Sequence, residues 1–408
     1  MKKNAITNGI IPMFLMNFAI GAVYCWTMFR DAILEYTQFD ISVYNLAFSL
    51  AMFFCGMAAA FGGKIVEKDV KLASFVTFFL FVIGWLMTGL SIYYRFAPGV
   101  IIGFGVVQGI AVGIGYLTPI KTLMLWMDKK QGFAAGLAIT GFTLTGVLLN
   151  PIIMVLLANF TVYEAFMILA LTFAICILAA CILIHRPDDK MTAEDLSREK
   201  ISVGKILFSK KFVSLWLVLL FNIIAGLAII SHERQIYETL GYESAILITV
   251  LVNISVFFNL AGRMAMSSWQ DKLVNKHIPY YCMALFSILV CLVAIFFSST
   301  LAIILAAIWT INFFFGCGYA CLPGILKQHY GIKQLATVHG LTLSAWAFAG
   351  LIGNNVASFI MFTGPFETGN ISILFGTLAV MFVIMGGCLL WFVKSAFVKV
   401  DGKLVERE

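Results

Sequence analysis

Long apolar runs broken by short polar stretches set the pattern of this chain. A helix needs about 20 apolar residues to cross a bilayer, and strands would show alternation instead. Twelve runs meet that length, at roughly 8–29, 44–63, 72–93, 98–127, 133–157, 162–184, 212–232, 245–268, 279–298, 300–326, 337–362 and 370–394. Only one polar stretch is long. It covers residues 185–211, contains HRPDDKMTAEDLSREK, and leaves six runs on each side. The pattern predicts an all-α membrane protein of twelve transmembrane helices in two six-helix halves. The halves are 1–184 and 212–408, joined by a central loop at 185–211 and ending in a short tail.

Composition supports this reading. The 408 residues are 62% hydrophobic and 12% charged, against about 25% charged in soluble domains. The N-terminal MKKNAITNGIIPMFLMNFAIGAVYCW has a basic start and a long apolar run with no small-residue cleavage site, so a retained first helix is expected. The net charge of +7 does not point to nucleic acid, because its location explains it. With the N-terminus inside, Arg30, Arg95 and Arg234 fall outside and Lys121 and Arg263 within the membrane, while the other Lys and Arg residues are all cytoplasmic. That bias predicts both termini in the cytoplasm and a multi-pass protein of the inner (plasma) membrane. The nine cysteines lie inside apolar runs without a CxxC pair or Cys/His cluster, which argues against disulfides, a metal site or any cofactor. No nucleophile–base constellation suggests an enzyme. A membrane sensor with a transporter fold is the competing class, but the longest loop, about 27 residues, leaves little room for an output domain.

The charges inside the spans narrow the chemistry. Ala245–Ser268, AILITVLVNISVFFNLAGRMAMSS, carries Arg263 and no acid. A charge buried there costs at least ~2.5 kcal/mol. Proton-driven and cation carriers usually place Asp or Glu inside the membrane, whereas here the acids are expected outside the deep spans. The balance favours an anionic substrate paired with Arg263. Lys121 lies five residues before Trp126. It either snorkels to the inner interface or faces the cavity as a second cation. His232-Glu233-Arg234 is expected as a solvated rim at the outer end of helix 7, and His232 and Glu233 are the candidate titrating pair if protons are coupled. Tyr24, Tyr116 and Tyr319 sit within helices 1, 4 and 10, and each hydroxyl needs a partner there. Each is either a substrate contact or a helix-to-helix hydrogen bond.

An internal repeat supports two parallel halves. Gly63-Lys-Ile-Val-Glu67-Lys68-Asp-Val-Lys71 and Ser267-Ser-Trp-Gln-Asp271-Lys272-Leu-Val-Asn-Lys276 each place an acid before Lys, with a further Lys three or four residues on, about 204 residues apart. These loops resemble the G-x-x-x-D-R/K-x-G-R/K signature of the major facilitator superfamily, with Glu67 and Val70 as departures. The resemblance implies alternating access about a central site, with these loops latching the halves and binding no substrate.

Within that superfamily, FAIGAVYCWTMF (Phe18–Phe29) resembles the Tyr-x-Trp-Ser/Thr motif of the oxalate/formate antiporter family. Gly115-Tyr116 leading to Trp126-Met-Asp-Lys-Lys130-Gln-Gly132, Asn259-Leu-Ala-Gly262-Arg263 and Phe315-Gly-Cys-Gly-Tyr319-Ala-Cys-Leu-Pro323 agree with it. The resemblance implies that Arg263 binds a carboxylate and that Tyr24, Tyr116, Phe315 and Tyr319 wall the pocket. Oxalate carriers have a lysine on helix 11, where this chain has Trp346. A monocarboxylate such as formate, pyruvate or lactate is therefore expected, with Trp346 setting the size limit. The alternative is an oxalate or dicarboxylate antiporter that uses Lys121 as its second cation. Either way the expected carrier is a monomer in the lipid bilayer, working by exchange or with protons as partner.

Overall fold

Each apolar run forms a helix in the computed structural model, which describes residues 5–187, 201–242, 244–362, 368–400 and 403–406. In chain order these are α1 (Ile6–Thr37), α2 (Ile41–Lys68), α3 (Val70–Tyr93), α4 (Ala97–Trp126), α5 (Gln131–Asn159), α6 (Val162–Leu183), α7 (Lys210–Thr239), α8 (Ala245–Asp271), α9 (Ile278–Phe296), α10 (Leu301–Tyr330), α11 (Leu335–Phe362) and α12 (Thr368–Ala396). Among the described residues 11 helices, all but α11, are long and apolar enough to span a bilayer. The twelfth expected span coincides with α11, 28 residues long, where many side chains of the second half lie outside the described set.

Two helices depart from simple α geometry. The motif GAVYCWTMF, Gly21–Phe29, winds as a 3₁₀ helix inside α1, and Ile101–Gln108 of α4 has π-helical pairing. Such stretches re-aim side chains and occur often at functional sites. The tail also folds: β1 (Phe397–Val400) pairs antiparallel with β2 (Lys403–Glu406), a two-stranded element beside the helices.

The chain forms two units. One comprises Met1–Lys200 together with Tyr330–Ala347, the other Ile201–His329 together with Phe348–Glu408. The first half of α11 thus belongs with the N-terminal helices, whereas the central polar loop alone would have assigned it to the C-terminal ones.

Aromatic packing fills the first unit. Trp26 stacks on Phe104 at 3.8 Å and on Tyr44 at 5.0 Å, and Trp85 meets Phe166 at 4.8 Å and Phe173 at 5.0 Å. The Tyr44 hydroxyl donates to the Trp26 carbonyl at 2.9 Å. α11 crosses α2 so closely that a Cβ at Gly340 would overlap the Ala59 carbonyl oxygen. The loop after α2 explains its own sequence. Asp69 Oδ1 accepts from the amides of Lys71 (2.7 Å) and Leu72 (3.3 Å), capping α3. Glu67 Oε1 accepts from the amide of Thr337 at 2.9 Å, where the first turn of α11 has unpaired N–H groups and a positive dipole end. Arg186, just past α6, donates to the carbonyls of Glu67 (3.0 Å) and Val66.

In the second unit the repeated loop solves the same end problem differently. Lys276 Nζ donates to the carbonyls of Gln270 (2.9 Å) and Asp271 (3.3 Å), so α8 is capped from its own loop, whereas α2 is capped from the linker. Similar sequence patterns here make different bonds. Phe397 of β1 brings the tail against the rings of His277 (5.1 Å) and His329 (5.3 Å).

Candidate functional site

Small residues bring α8 and α10 together. A Cβ at Gly262 would overlap the Phe313 carbonyl, and one at Gly316 would overlap that of Asn259. Backbones in such contact hold side chains one turn away in a fixed relation. Asn259 and Arg263 lie four residues apart on α8, hence on one face. Asn259 Nδ2 donates to the Asn312 carbonyl of α10 at 3.1 Å, and its Oδ1 accepts from Arg263 Nε at 2.9 Å. The amide therefore ties the arginine to the neighbouring helix. Arg263 is 6% exposed, with its guanidinium carbon 5.6 Å from the centre of the Tyr319 ring. Phe315 stands one turn before Tyr319, and their rings meet edge-on at 5.3 Å. From α9 the Tyr280 hydroxyl donates to the Gly318 carbonyl at 2.5 Å, tying down the helix that carries both rings.

The arrangement is a planar cation in an apolar span, oriented through Nε and facing a π surface. A guanidinium in fixed plane suits a carboxylate, whose two oxygens match its fork.

Three other expected residues meet in the first unit. In the 3₁₀ stretch, residues three apart line up, so Tyr24 and Thr27 share an exposed line while Trp26 turns into the core. Tyr24 is 37% exposed. Its ring lies 5.4 Å from Phe142 and 6.2 Å from Trp346. Tyr116 of α4 lies 5.2 Å from Phe142, 6.5 Å from Trp346 and 6.2 Å from His339. Phe142 and His339 were not among the expected residues. His339 Nε2 is buried with no hydrogen-bond partner among the described residues. Lys121, five residues past Tyr116 on α4, is 3% exposed. Arg263, Phe315 and Tyr319 form one set in the second unit; Tyr24, Tyr116, Trp346 and Lys121 belong to the first.

The expected solvated rim on helix 7 needs correction. α7 does not end near residue 232 but continues to Thr239, and His232 and Glu233 are buried, Glu233 to 2% exposure. An acid does lie inside a span. Glu233 Oε1 accepts from the Tyr237 hydroxyl at 2.6 Å and from the Ser255 hydroxyl of α8. His232 Nδ1 lies 3.1 Å from the Ala228 carbonyl. Only Arg234 behaves as a rim residue, pairing at 2.8 Å with Glu238 on the exposed face. Tyr237 and Ser255 escaped the sequence reading, and Asn259 entered it only as the first residue of the motif around Arg263. The four-residue spacings Asn259–Arg263 and Glu233–Tyr237 are the signals that were available. No group of three or more His, Cys, Asp and Glu able to hold a metal occurs among the described residues.

Comparison with known proteins places the chain. The sequence profile of the Major Facilitator Superfamily matches residues 5–354. The chain is 24% identical over 363 residues to an oxalate:formate antiporter of Oxalobacter formigenes, covering 86% of this chain and 84% of that protein. It is 23% identical over 338 residues to the uncharacterized MFS-type transporter YhjX of Escherichia coli strain K12, covering 81% and 82%. In fold it is similar to the proton:xylose symporter XylE, with a TM-score of 0.67 at 13% identity over 94% of this chain and 95% of that one.

Proposed function

Because the chain belongs to the Major Facilitator Superfamily, we propose that this secondary transporter carries small organic carboxylate anions of the formate, pyruvate or lactate class by alternating access. The observation that carries the reading is Arg263, a cation buried in a membrane span and oriented by Asn259 and Tyr319. An anion bound at its fork offsets the cost of keeping the charge in the membrane, so occupancy and stability are linked. The related antiporter's name, which cites two carboxylates, supports the same class. Tyr319 and Phe315 flank the cation. Tyr24, Tyr116 and Trp346 provide hydroxyls and ring faces along the substrate's path, and Trp346 sets the size limit. The carrier works as a monomer in the inner membrane.

Exchange in proteoliposomes preloaded with unlabelled anion tests this. Labelled formate, pyruvate or lactate enters with wild type and fails to enter with Arg263→Gln. Equal exchange by the variant refutes the assignment. One observation favours a second reading: Lys121 is buried, and a second buried cation would suit a dicarboxylate. Oxalate exchange that is lost in Lys121→Gln selects that reading.

A further inference from the structure

Ser255, Asn259 and Arg263 follow one another at four-residue intervals on α8, which sets them on one face. All three are buried. Asn259 holds Arg263 at one end, and the Ser255 hydroxyl donates to Glu233 at the other. Glu233 and Arg263 are thus the two ends of one buried polar line. Ser255 and Arg263 are eight residues apart along the helix, about 12 Å of rise. The elements packed around Glu233 bring few other charges. On α7 itself Tyr237 and His232 face it, the latter turned to its own backbone at Ala228, while Arg234 and Glu238 pair with each other on the exposed face, and α8 adds Arg263 and, at its end, Asp271. α12, packed along α7, has Cys388 and Lys394 as its titratable residues, both in its last third, and α10 has no charged residue before Lys327.

We propose that Glu233 is the proton-binding site of this carrier, coupled along Ser255–Asn259–Arg263 to the anion site, so that a proton and a carboxylate are bound and carried together. The inference rests on the reading of Arg263 as the carboxylate site. With no anion bound, the ionised Glu233 balances Arg263 within the unit. A bound anion adds a negative charge, and a proton on Glu233 cancels it. Over a separation on the order of that rise and at an effective dielectric constant near 20, each partner strengthens binding of the other by up to roughly tenfold. The hydrogen bonds allow both states. Ionised Glu233 accepts from Tyr237 and Ser255. Once protonated it donates, and the Ser255 hydroxyl can turn its proton to the Leu251 carbonyl, 3.5 Å away in the same helix. No backbone movement is required. The proton is taken from water on the side where the anion enters and returned to water where it leaves.

The test uses the reconstituted full chain and compares two rates for labelled lactate: exchange without a pH gradient, and uptake into empty vesicles driven by an acid exterior. Wild type accumulates lactate under the gradient, and lightly buffered detergent solutions of the protein lose protons from the medium when lactate is added. In Glu233→Gln the ratio of acid-driven uptake to exchange falls about tenfold or more and the proton uptake disappears. A ratio equal to wild type overturns the proposal. Wild type that exchanges lactate in an Arg263-dependent way but takes up no proton overturns it while leaving the carboxylate reading standing. Wild type that exchanges no carboxylate removes both. If Glu233→Gln does not fold, Tyr237→Phe serves instead. Loss of one donor to the ionised carboxylate moves the pH dependence of acid-driven uptake to higher pH, and an unmoved profile counts against Glu233.

Discussion

Arg263 and Asn259 divide one task. The arginine supplies charge, and the amide, anchored on the Asn312 carbonyl, supplies direction. Replacing Arg263 by Lys keeps the charge but removes the plane and the Nε bond. The expected outcome is a rise in the KM for anion exchange of roughly tenfold, since a hydrogen bond to a charged group contributes about 1.5–3 kcal/mol. Asn259→Ala should raise KM about fivefold with little change in maximal rate, because it loosens the arginine without removing it. Equal kinetics in both variants would show that the substrate does not use this cation. Of this pair only the arginine was legible in sequence, since a charge stands out in an apolar run. An amide one turn earlier has many structural uses, and its role depends on the carbonyl it finds on another helix. Glu233 was misread for a related reason. The apolar run stops at residue 232, yet its polar neighbours are satisfied internally, by Tyr237 one turn on and by Ser255 from α8.

Helices were legible where continuous apolarity dictates them, and their ends and crossings were not. α2 and α11 meet because Gly340 has no side chain to hold the Ala59 carbonyl away. Gly340→Ala must push the helices apart, at a cost on the order of 1–3 kcal/mol. The melting temperature of the purified protein in detergent should fall, and a variant that melts with wild type would show that the crossing has slack. The sequence offered Gly340 only as one small residue among many, because neither Ala59 nor the angle of approach can be read from spacing. The 3₁₀ winding of Gly21–Phe29 was likewise hidden, although the motif GAVYCWTMF within it was conspicuous.

At the scale of the molecule, the tail and the shared helix matter most. His277 opens α9 beside Phe397, and burial, with His329 close by, holds its imidazole down to about 4 from the usual 6.5. The folded state therefore prefers the neutral ring. Its stabilising contribution is complete above about pH 6.5 and is lost as pH falls toward 4, where the unfolded chain binds the proton first. Melting temperatures measured from pH 8 downward should fall through that window, and less steeply in His277→Asn. A profile unaltered by the substitution would remove His277 from the account. The polar run 185–211 announced a boundary after α6, but the membership of Tyr330–Ala347 in the first unit is a matter of contacts and leaves no mark on composition. That membership imposes an order in time. A ribosome releases α1 to α6 and then makes α7 to α10 before the segment that covers Ala59 and meets Glu67 exists. At about 5–20 residues per second the wait is roughly eight to thirty seconds. Through that interval the nascent first unit keeps an open seam along α2, which the translocation machinery or the lipid has to shelter.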